Sequence, residues 1–338
     1  MRSHHCPRCR QLLLFEHEQC SNCGLTVAFD IGSLEVQPSD AADSCANRQL
    51  IGCNWSAEKG YSLCRSCNLT RTIPNLDSAK NVVLWKRAEQ AKKRLVYDIC
   101  RLDLPFASTD GTRIAFDILA EDVAGKPVAT GHAAGLITLN LAEADDVERE
   151  TRRVAFREPY RTLPGHFRHE SGHFYWAPLV LETELIAPFR VIFGDERQDY
   201  ETALKSYHER ADRSYDRTAY ISEYATSHPW EDWAETFAHF LHIVSAIDSA
   251  AGLPLSLDPR SRQTLQNPYQ EDDFEALLLC WRPFAYSINE LNRALGQTDA
   301  YPFELSRAAI GKLHFVHMAV TTFRERRRKI ASGTARES

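Results

Sequence analysis

The chain has 338 residues, a formal net charge of −6, and 43% hydrophobic and 25% charged residues. This is ordinary globular composition, long enough for two or three domains. The charge excludes a global basic field for nucleic acid or anionic lipid. No apolar run approaches the roughly 18 residues that cross a membrane. The N-terminus carries no hydrophobic signal segment, so we expect a cytoplasmic protein with no membrane partner.

Cysteines are concentrated at the start of the chain. Eight of the ten lie before residue 68, and six of these form three Cys-x-x-Cys pairs. Without an export signal, this pattern indicates thiolate zinc ligation rather than disulfides. The spacing gives two groups of four: Cys6, Cys9, Cys20 and Cys23, then Cys45, Cys53, Cys64 and Cys67. The second group is less regular, because seven residues separate its first two members.

We predict one structural zinc ion in each group, within a zinc-ribbon module at residues 1–72. Closed four-cysteine sites have no open coordination position, so these zincs are expected to hold the fold. A ribbon can also bind nucleic acid or a protein partner. The basic signal for nucleic acid is weak, and it comes from Arg8, Arg10, Arg65 and Arg71.

The next segments alternate between helix and strand patterns. Residues 81–101 have apolar positions at helical spacing, and residues 112–119 and 128–140 have strand character with a turn around residues 124–127. Gly131 and Gly135 would let another backbone approach the second strand. That strand is either a plain sheet strand or an edge that pairs with an extended substrate. Residues 141–158 read as a charged surface helix.

The most informative segment is His-Glu-Ser-Gly-His at residues 169–173. Thr162 is a candidate N-cap, Pro164 suits the first helical turn, and the helix should end before Pro178. On such a helix His169 and His173 lie one turn apart on one face and can share a zinc ion.

A second polar stripe lies downstream, on a helix that we predict to begin near Pro229 with Ser227 or His228 as its cap. Asp232, Glu235, His239 and His242 follow the spacing i, i+3, i+7, i+10 between large aromatic residues. Such a stripe is hard to explain as core and suits a helix that faces a metal ion.

A catalytic zinc ion takes three protein ligands. We expect Glu235 to join His169 and His173, with a three-histidine set through His239 as the alternative. Otherwise His239 would support a ligand by a hydrogen bond, and Asp232 would orient a zinc-bound histidine.

Three further residues receive catalytic roles from the pattern. Glu170 is the expected general base, which takes a proton from water and delivers it to the leaving amine. Tyr224 and His228 are candidate donors to the developing oxyanion.

Two more helical regions follow at residues 270–295 and 303–323, and the basic residues after them read as a flexible tail at 324–338. The second predicted domain therefore covers residues 78–323. The fold class is α+β: cysteine-rich zinc ribbons, then a mainly helical domain with a small β-sheet.

The joined motifs resemble a bacterial family of zinc-ribbon metallopeptidases. The resemblance rests on residues 6–23, 158–173, 193–197, 228–239 and 301–303, and it covers nearly the whole chain. It implies an N-terminal zinc ribbon fused to a zincin-like peptidase domain. The chain departs from the expected pattern at Ala177, where an acidic residue would follow Tyr175 and Trp176, so one contact around the ligands is in doubt.

Three functions remain open from the sequence. The leading one is a zinc metallopeptidase of the His-Glu-x-x-His type, with one catalytic and two structural zinc ions and a protein or peptide substrate that the ribbons recruit. The second is a ribbon protein that binds a partner or nucleic acid, with an inactive zincin domain. The third is a zinc hydrolase acting on a non-peptide amide. The pattern gives no oligomeric state.

Overall fold

A computed structural model describes residues 4–40, 42–121, 127–156, 158–253 and 265–334. The predicted turn at 124–127 and the end of the tail, residues 335–338, therefore fall largely outside the described residues. The α-helices in this part of the chain are α1 Arg48–Ile51, α2 Arg65–Asn68, α3 Ala79–Arg101, α4 Asp146–Ala155, α5 Leu163–Trp176, α6 Ile186–Ile192, α7 Tyr200–Glu209, α8 Pro229–Ala251, α9 Phe274–Ala294 and α10 Arg307–Thr334.

The strands form three small sheets. They are β1 His4–His5, β2 Leu12–Leu13, β3 Val27–Asp30, β4 Glu35–Pro38, β5 Thr70–Thr72, β6 Ala115–Leu119, β7 Gly131–Ala133 and β8 Leu136–Asn140. Two are antiparallel hairpins, β1 with β2 and β3 with β4. The third has the order β5-β6-β8-β7, in which β5, β6 and β8 are parallel and β7 is an antiparallel edge strand.

The cysteine-rich part and the helical part share one hydrophobic core. Phe29 and Trp55 pack on each other, and Phe29 also contacts Tyr97 of α3. All three side chains are at most 2% exposed. Strand β5, which follows the last cysteine, pairs with β6 of the helical part. The ribbon is therefore built into the body of the protein, because core and sheet both cross the predicted domain boundary.

Helix α5 begins where its sequence predicts. The Thr162 side chain accepts a hydrogen bond from the Gly165 amide at 3.1 Å, and Pro164 occupies the first turn. Proline suits this place because the amide that it lacks would have no partner inside the helix. The cap fixes the start of α5 and, through the helical repeat, the face that carries His169 and His173.

Helices α5 and α8 are pressed together at Gly172. A Cβ atom on Gly172 would lie 2.9 Å from the Cα atom of Ala234, so no larger residue fits without movement. The Trp233 indole stabilises this contact by donating a hydrogen bond to the Gly172 carbonyl oxygen at 2.8 Å. This close approach lets side chains from both helices reach one another.

The basic C-terminal segment differs from its prediction as a flexible tail. Helix α10 continues to Thr334. Arg324 is 2% exposed and donates to the Tyr269 carbonyl oxygen and to Asp272. Arg326 pairs with Glu184. These arginines have partners within the fold. The local run of basic residues could not reveal the partners, because they come from distant parts of the chain.

Among the described residues, none of the helices combines the length and the apolar character that a membrane span requires.

The spacing of α5 and α8 can be tested with Gly172→Ala. The added methyl group must push Ala234 away, so we expect a loss of about 1–3 kcal/mol in unfolding free energy, measured by urea denaturation. Gly311→Ala on α10 is the matched control, because nothing lies within 4 Å of its Cβ position and alanine favours a helix by about 1 kcal/mol. Gly311→Ala should therefore be more stable than the wild type, and a Gly172→Ala variant as stable as Gly311→Ala would contradict the close contact.

Candidate metal centres

The first four-cysteine group forms a compact cluster of sulfur atoms. Cys6 and Cys23 lie 3.6 Å apart, and Cys9 and Cys20 lie 3.5 Å apart. A tetrahedral zinc ion with bonds of about 2.3 Å places its sulfur ligands about 3.8 Å apart. The residue after each Cys-x-x-Cys pair, Arg10 or Gly24, has a left-handed φ, 65° or 69°. Both pairs therefore close the same kind of tight turn.

The second group gives the same geometry despite its irregular spacing. Cys53 lies 3.7 Å from both Cys64 and Cys67, and the four ligand atoms of the group are within 4.8 Å of one another. Hydrogen bonds with the other three thiols hold the pKa of Cys53 well below its usual range. The same network of hydrogen bonds raises the pKa of Cys64 well above its usual range, so the thiols share their protons unequally when no metal is bound.

The second cluster is packed against α3 through buried charges. Glu89 of α3 lies 4.0 Å from the Cys67 sulfur and accepts hydrogen bonds from Thr70 at 2.6 Å and Lys92 at 2.9 Å. Glu89 and Lys92 are at most 1% exposed. A charged pair is stable at such depth only when its members satisfy each other. Cluster and helix therefore form one unit.

The third centre lies between α5 and α8. His169 and His173 are brought together with Glu231, and their ligand atoms lie within 4.8 Å of one another. Glu231 Oε2 is 2.9 Å from His169 Nε2 and 3.3 Å from His173 Nε2. Two imidazoles and one carboxylate are a donor set that catalytic zinc sites use, with ligand atoms about 3.4 Å apart.

The Glu231 carboxylate is held so that one oxygen faces this centre. Tyr200 donates its hydroxyl hydrogen to Oε1. Oε2 is buried, and its close neighbours are the Nε2 atoms of the two imidazoles. A buried carboxylate is stable only beside a cation, which here is either a protonated imidazole or a metal ion that both imidazoles share. The residues present therefore fit a bound zinc ion.

Glu235, the expected third ligand, lies on the other side of His169. Its Oε1 is 2.8 Å from His169 Nδ1, and Ser222 donates to its Oε2 at 2.6 Å. Carboxylates in this position commonly orient a metal-binding imidazole and make it more basic. The geometry thus favours Glu231 over Glu235 as the third ligand, because only Glu231 faces both Nε2 atoms.

The pocket attracts positive charge. Burial alone would lower the pKa of His169, but hydrogen bonds to Glu231 and Glu235 outweigh it and raise that pKa well above its usual value. Burial opposes the ionisation of Glu235, yet the hydrogen bond with His169 brings its pKa down to about 2. Two buried carboxylates that hold a proton on an imidazole would also favour a metal cation.

Glu170 and Tyr224 lie beside this centre. The Glu170 side chain makes no hydrogen bond or ion pair to the described residues, although it is only 9% exposed. The Tyr224 ring is 5.7 Å from the His169 ring. Burial, then the charges of Glu231 and other neighbours, raise the pKa of Tyr224, so its hydroxyl keeps its proton and can donate.

Three other candidates have different partners from those expected. The two ring nitrogens of His228 are used structurally: Nδ1 caps α8 by accepting from the Trp230 amide at 3.1 Å, and Nε2 lies 3.2 Å from the Gln198 carbonyl oxygen. It is therefore a cap rather than an oxyanion donor. Asp232 accepts from Lys312 at 2.6 Å instead of orienting a zinc-binding histidine.

The third candidate is His239. Its Nδ1 is 2.8 Å from the Tyr301 hydroxyl, outside the group of ligand atoms. Burial lowers the pKa of His239 to about 4, while the charge of Glu235 partly opposes that effect. His239 is thus a neutral, buried neighbour of the pocket.

Sequence reasoning missed Glu231, Tyr200 and Ser222. A signal for Glu231 was present, because Glu231 and Glu235 are four residues apart, the same spacing as His169 and His173. Two such pairs on packed helices can face each other. The roles of Tyr200 and Ser222 depend on tertiary contacts and leave no local pattern.

Comparison with known proteins agrees with this arrangement. A family model described as "Putative zinc-binding metallo-peptidase" matches residues 81–319, which is more than half of the chain. The chain belongs to this family. A second model, described as a zinc-ribbon domain, matches residues 3–78. The predicted family and fold class are thereby confirmed, and the family and the two four-cysteine clusters both support zinc binding.

The relatives extend over nearly the whole chain. Uncharacterized proteins of Mycobacterium bovis and of two strains of Mycobacterium tuberculosis are each 40% identical to it over 329 residues, which is 95% of both chains. No solved structure matches the chain significantly.

The second cysteine cluster can be tested with Cys67→Ser. Removing one of its thiolates should release one zinc ion per chain and lower the thermal midpoint of the helical part, because α3 packs on the cluster. Metal analysis and circular dichroism measure these two effects. Cys280→Ser, outside both clusters, should keep all zinc. Full zinc content in Cys67→Ser would contradict the assignment.

Proposed function

We propose that the protein is a zinc-dependent peptidase that hydrolyses peptide bonds of a protein or peptide substrate. The observation that supports it most is the buried Glu231 Oε2, which faces Nε2 of both His169 and His173 and forms a possible metal-binding group with them. These three residues would hold one zinc ion besides the two in the thiolate clusters. Glu170 follows His169 directly, as a general base of this reaction requires.

When bound there, zinc would lower the pKa of a water molecule and polarise the scissile carbonyl. Glu170 accepts the proton of the attacking water and returns it to the leaving amine. Its carboxylate suits this role because no described residue engages it. Tyr224 donates its hydroxyl hydrogen to the oxyanion that develops on the carbonyl. Glu235 holds the imidazole of His169 in one orientation.

The substrate would lie along β7. This strand is at the edge of the four-stranded sheet, and His132 at its centre stacks on His173 with ring centres 6.1 Å apart. An extended peptide can add to such an edge through main-chain hydrogen bonds. Gly131 has nothing within 4 Å of its Cβ position, so the start of the strand leaves room for a second backbone.

The alternative of a nucleic-acid-binding ribbon gains little support from the charges. Arg65 pairs with Glu58 at 2.7 Å, and Arg71 pairs with Asp117. These two of the four candidate arginines therefore already have carboxylate partners. A hydrolase for a non-peptide amide would use the same catalytic residues, and substrate experiments separate the two. A cytoplasmic location stays a prediction.

The ligand assignment gives opposite expectations for the two glutamates of α8. Glu231→Gln should abolish binding of the third zinc ion, the one that a chelator can reach, because it removes a charged ligand. Glu235→Gln should keep this zinc but bind it about 10- to 100-fold more weakly. Competition with a chelator of known affinity measures both. The assignment to Glu231 would be wrong if only Glu235→Gln lost the metal.

The mechanism is tested with Glu170→Gln, which removes the base but keeps the shape. Hydrolysis should fall about 10²- to 10⁴-fold, with unchanged zinc content. The assay compares cleaved cellular proteins after incubation with the wild type or the variant, and Glu148→Gln on the exposed face of α4 is the control. Full proteolysis by Glu170→Gln would contradict the proposed mechanism.

A further inference from the structure

Four buried nitrogen atoms lack a hydrogen-bond partner in a single cluster of rings beside the proposed zinc site. They are His132 Nδ1, His173 Nδ1, Trp176 Nε1 and Trp230 Nε1. Trp230 joins the cluster, with ring-centre distances of 4.2 Å to His173, 6.4 Å to His132 and 6.4 Å to Trp176. Buried polar groups nearly always have partners, so four unpaired atoms in neighbouring rings require an explanation. We call these four residues the donor cluster.

All four atoms are donors. An indole nitrogen can only donate. His132 Nε2 accepts from the Gly135 amide at 3.1 Å, so the neutral ring carries its hydrogen on Nδ1. His173 turns Nε2 toward Glu231. When that nitrogen binds a metal ion, the hydrogen of the ring is on Nδ1. The cluster therefore presents four N–H groups.

The described chain supplies no acceptor to His173 Nδ1. The backbone stays helical through Ala177, with φ −61° and ψ −59°, which places residue 177 one turn after His173 on the same face. Side chains on a helix point back toward its N-terminus, so a longer residue at 177 would point toward His173. Alanine provides only a methyl group. The usual hydrogen-bond partner of a metal-binding histidine is missing where the helix could have provided it.

We propose that the donor cluster binds a small carboxylate anion, which accepts the hydrogen of His173 Nδ1 and so stabilises the zinc-bound form of the site. This inference rests on the proposed function, because it assumes zinc at His169, His173 and Glu231. A carboxylate has about four acceptor positions and no hydrogen to place. A water molecule can accept only two of these hydrogen bonds, and the cluster offers no acceptor for the two hydrogens that the water would donate. Ionised acceptors also make the stronger hydrogen bonds.

The test measures zinc affinity, independently of hydrolysis, on the full chain with its thiolate zincs in place. The affinity of the third site is determined by chelator competition while formate replaces chloride at constant ionic strength. In the wild type, formate should tighten zinc binding with saturation, on the order of 10-fold or more. Ala177→Asp should bind zinc equally tightly without formate and lose the response, since its carboxylate fills the place of the anion.

Ala177→Leu is the matched control, because it fills space without an acceptor and should show weak zinc binding at every formate concentration. If Ala177→Asp does not fold, the formate response of the wild type decides alone. If the third zinc ion binds with an affinity that does not change with formate concentration, this inference is wrong and the proposed function still stands. A chain that binds no third zinc, with or without formate, overturns both.

Discussion

The close approach of α5 and α8 is the constraint on which the candidate site depends. Gly172 lacks a side chain where Ala234 crosses it, and this contact sets the distance between the helices. His169 lies three positions before Gly172, and Glu231 lies three positions before Ala234. The helical repeat then places two histidines opposite two glutamates. A small residue at the crossing point thus determines which carboxylate faces the metal position.

Helix α3 fixes α5 from the other side. Asp98 of α3 accepts two hydrogen bonds from Arg168, at 3.0 and 2.8 Å, and one from the Tyr269 hydroxyl. Arg168 immediately precedes His169, so the buried pair holds the ligand-bearing turn. Breaking such a pair on one side costs about 3–5 kcal/mol. The same helix carries Glu89 beside the second cysteine cluster, so one rigid element joins a thiolate site to the proposed zinc site.

Local patterns predicted much of the fold and half of the candidate site. The Cys-x-x-Cys pairs, the Thr162 cap and the spacing of His169 and His173 are set by near neighbours in the chain, and the structure has them where the sequence puts them. The choice of third ligand depends on how α8 is rotated against α5. The four-residue spacing of Glu231 and Glu235 indicates two facing carboxylates but does not decide which one meets both histidines. Of the two roles expected of His228, cap of α8 and oxyanion donor, the structure shows the cap.

The shared core changes what the ribbons can be expected to do. Phe29 packs with Trp55 and with Tyr97 of α3, and β5 belongs to the sheet whose edge is β7. The thiolate clusters therefore stabilise the surfaces that position both the ligand helix and the proposed substrate strand. Since metal binding at such clusters contributes directly to folding free energy, their structural role accounts for them without a binding partner. Recruitment of a substrate by the ribbon would have to use its outward surface, separate from the side buried against α3.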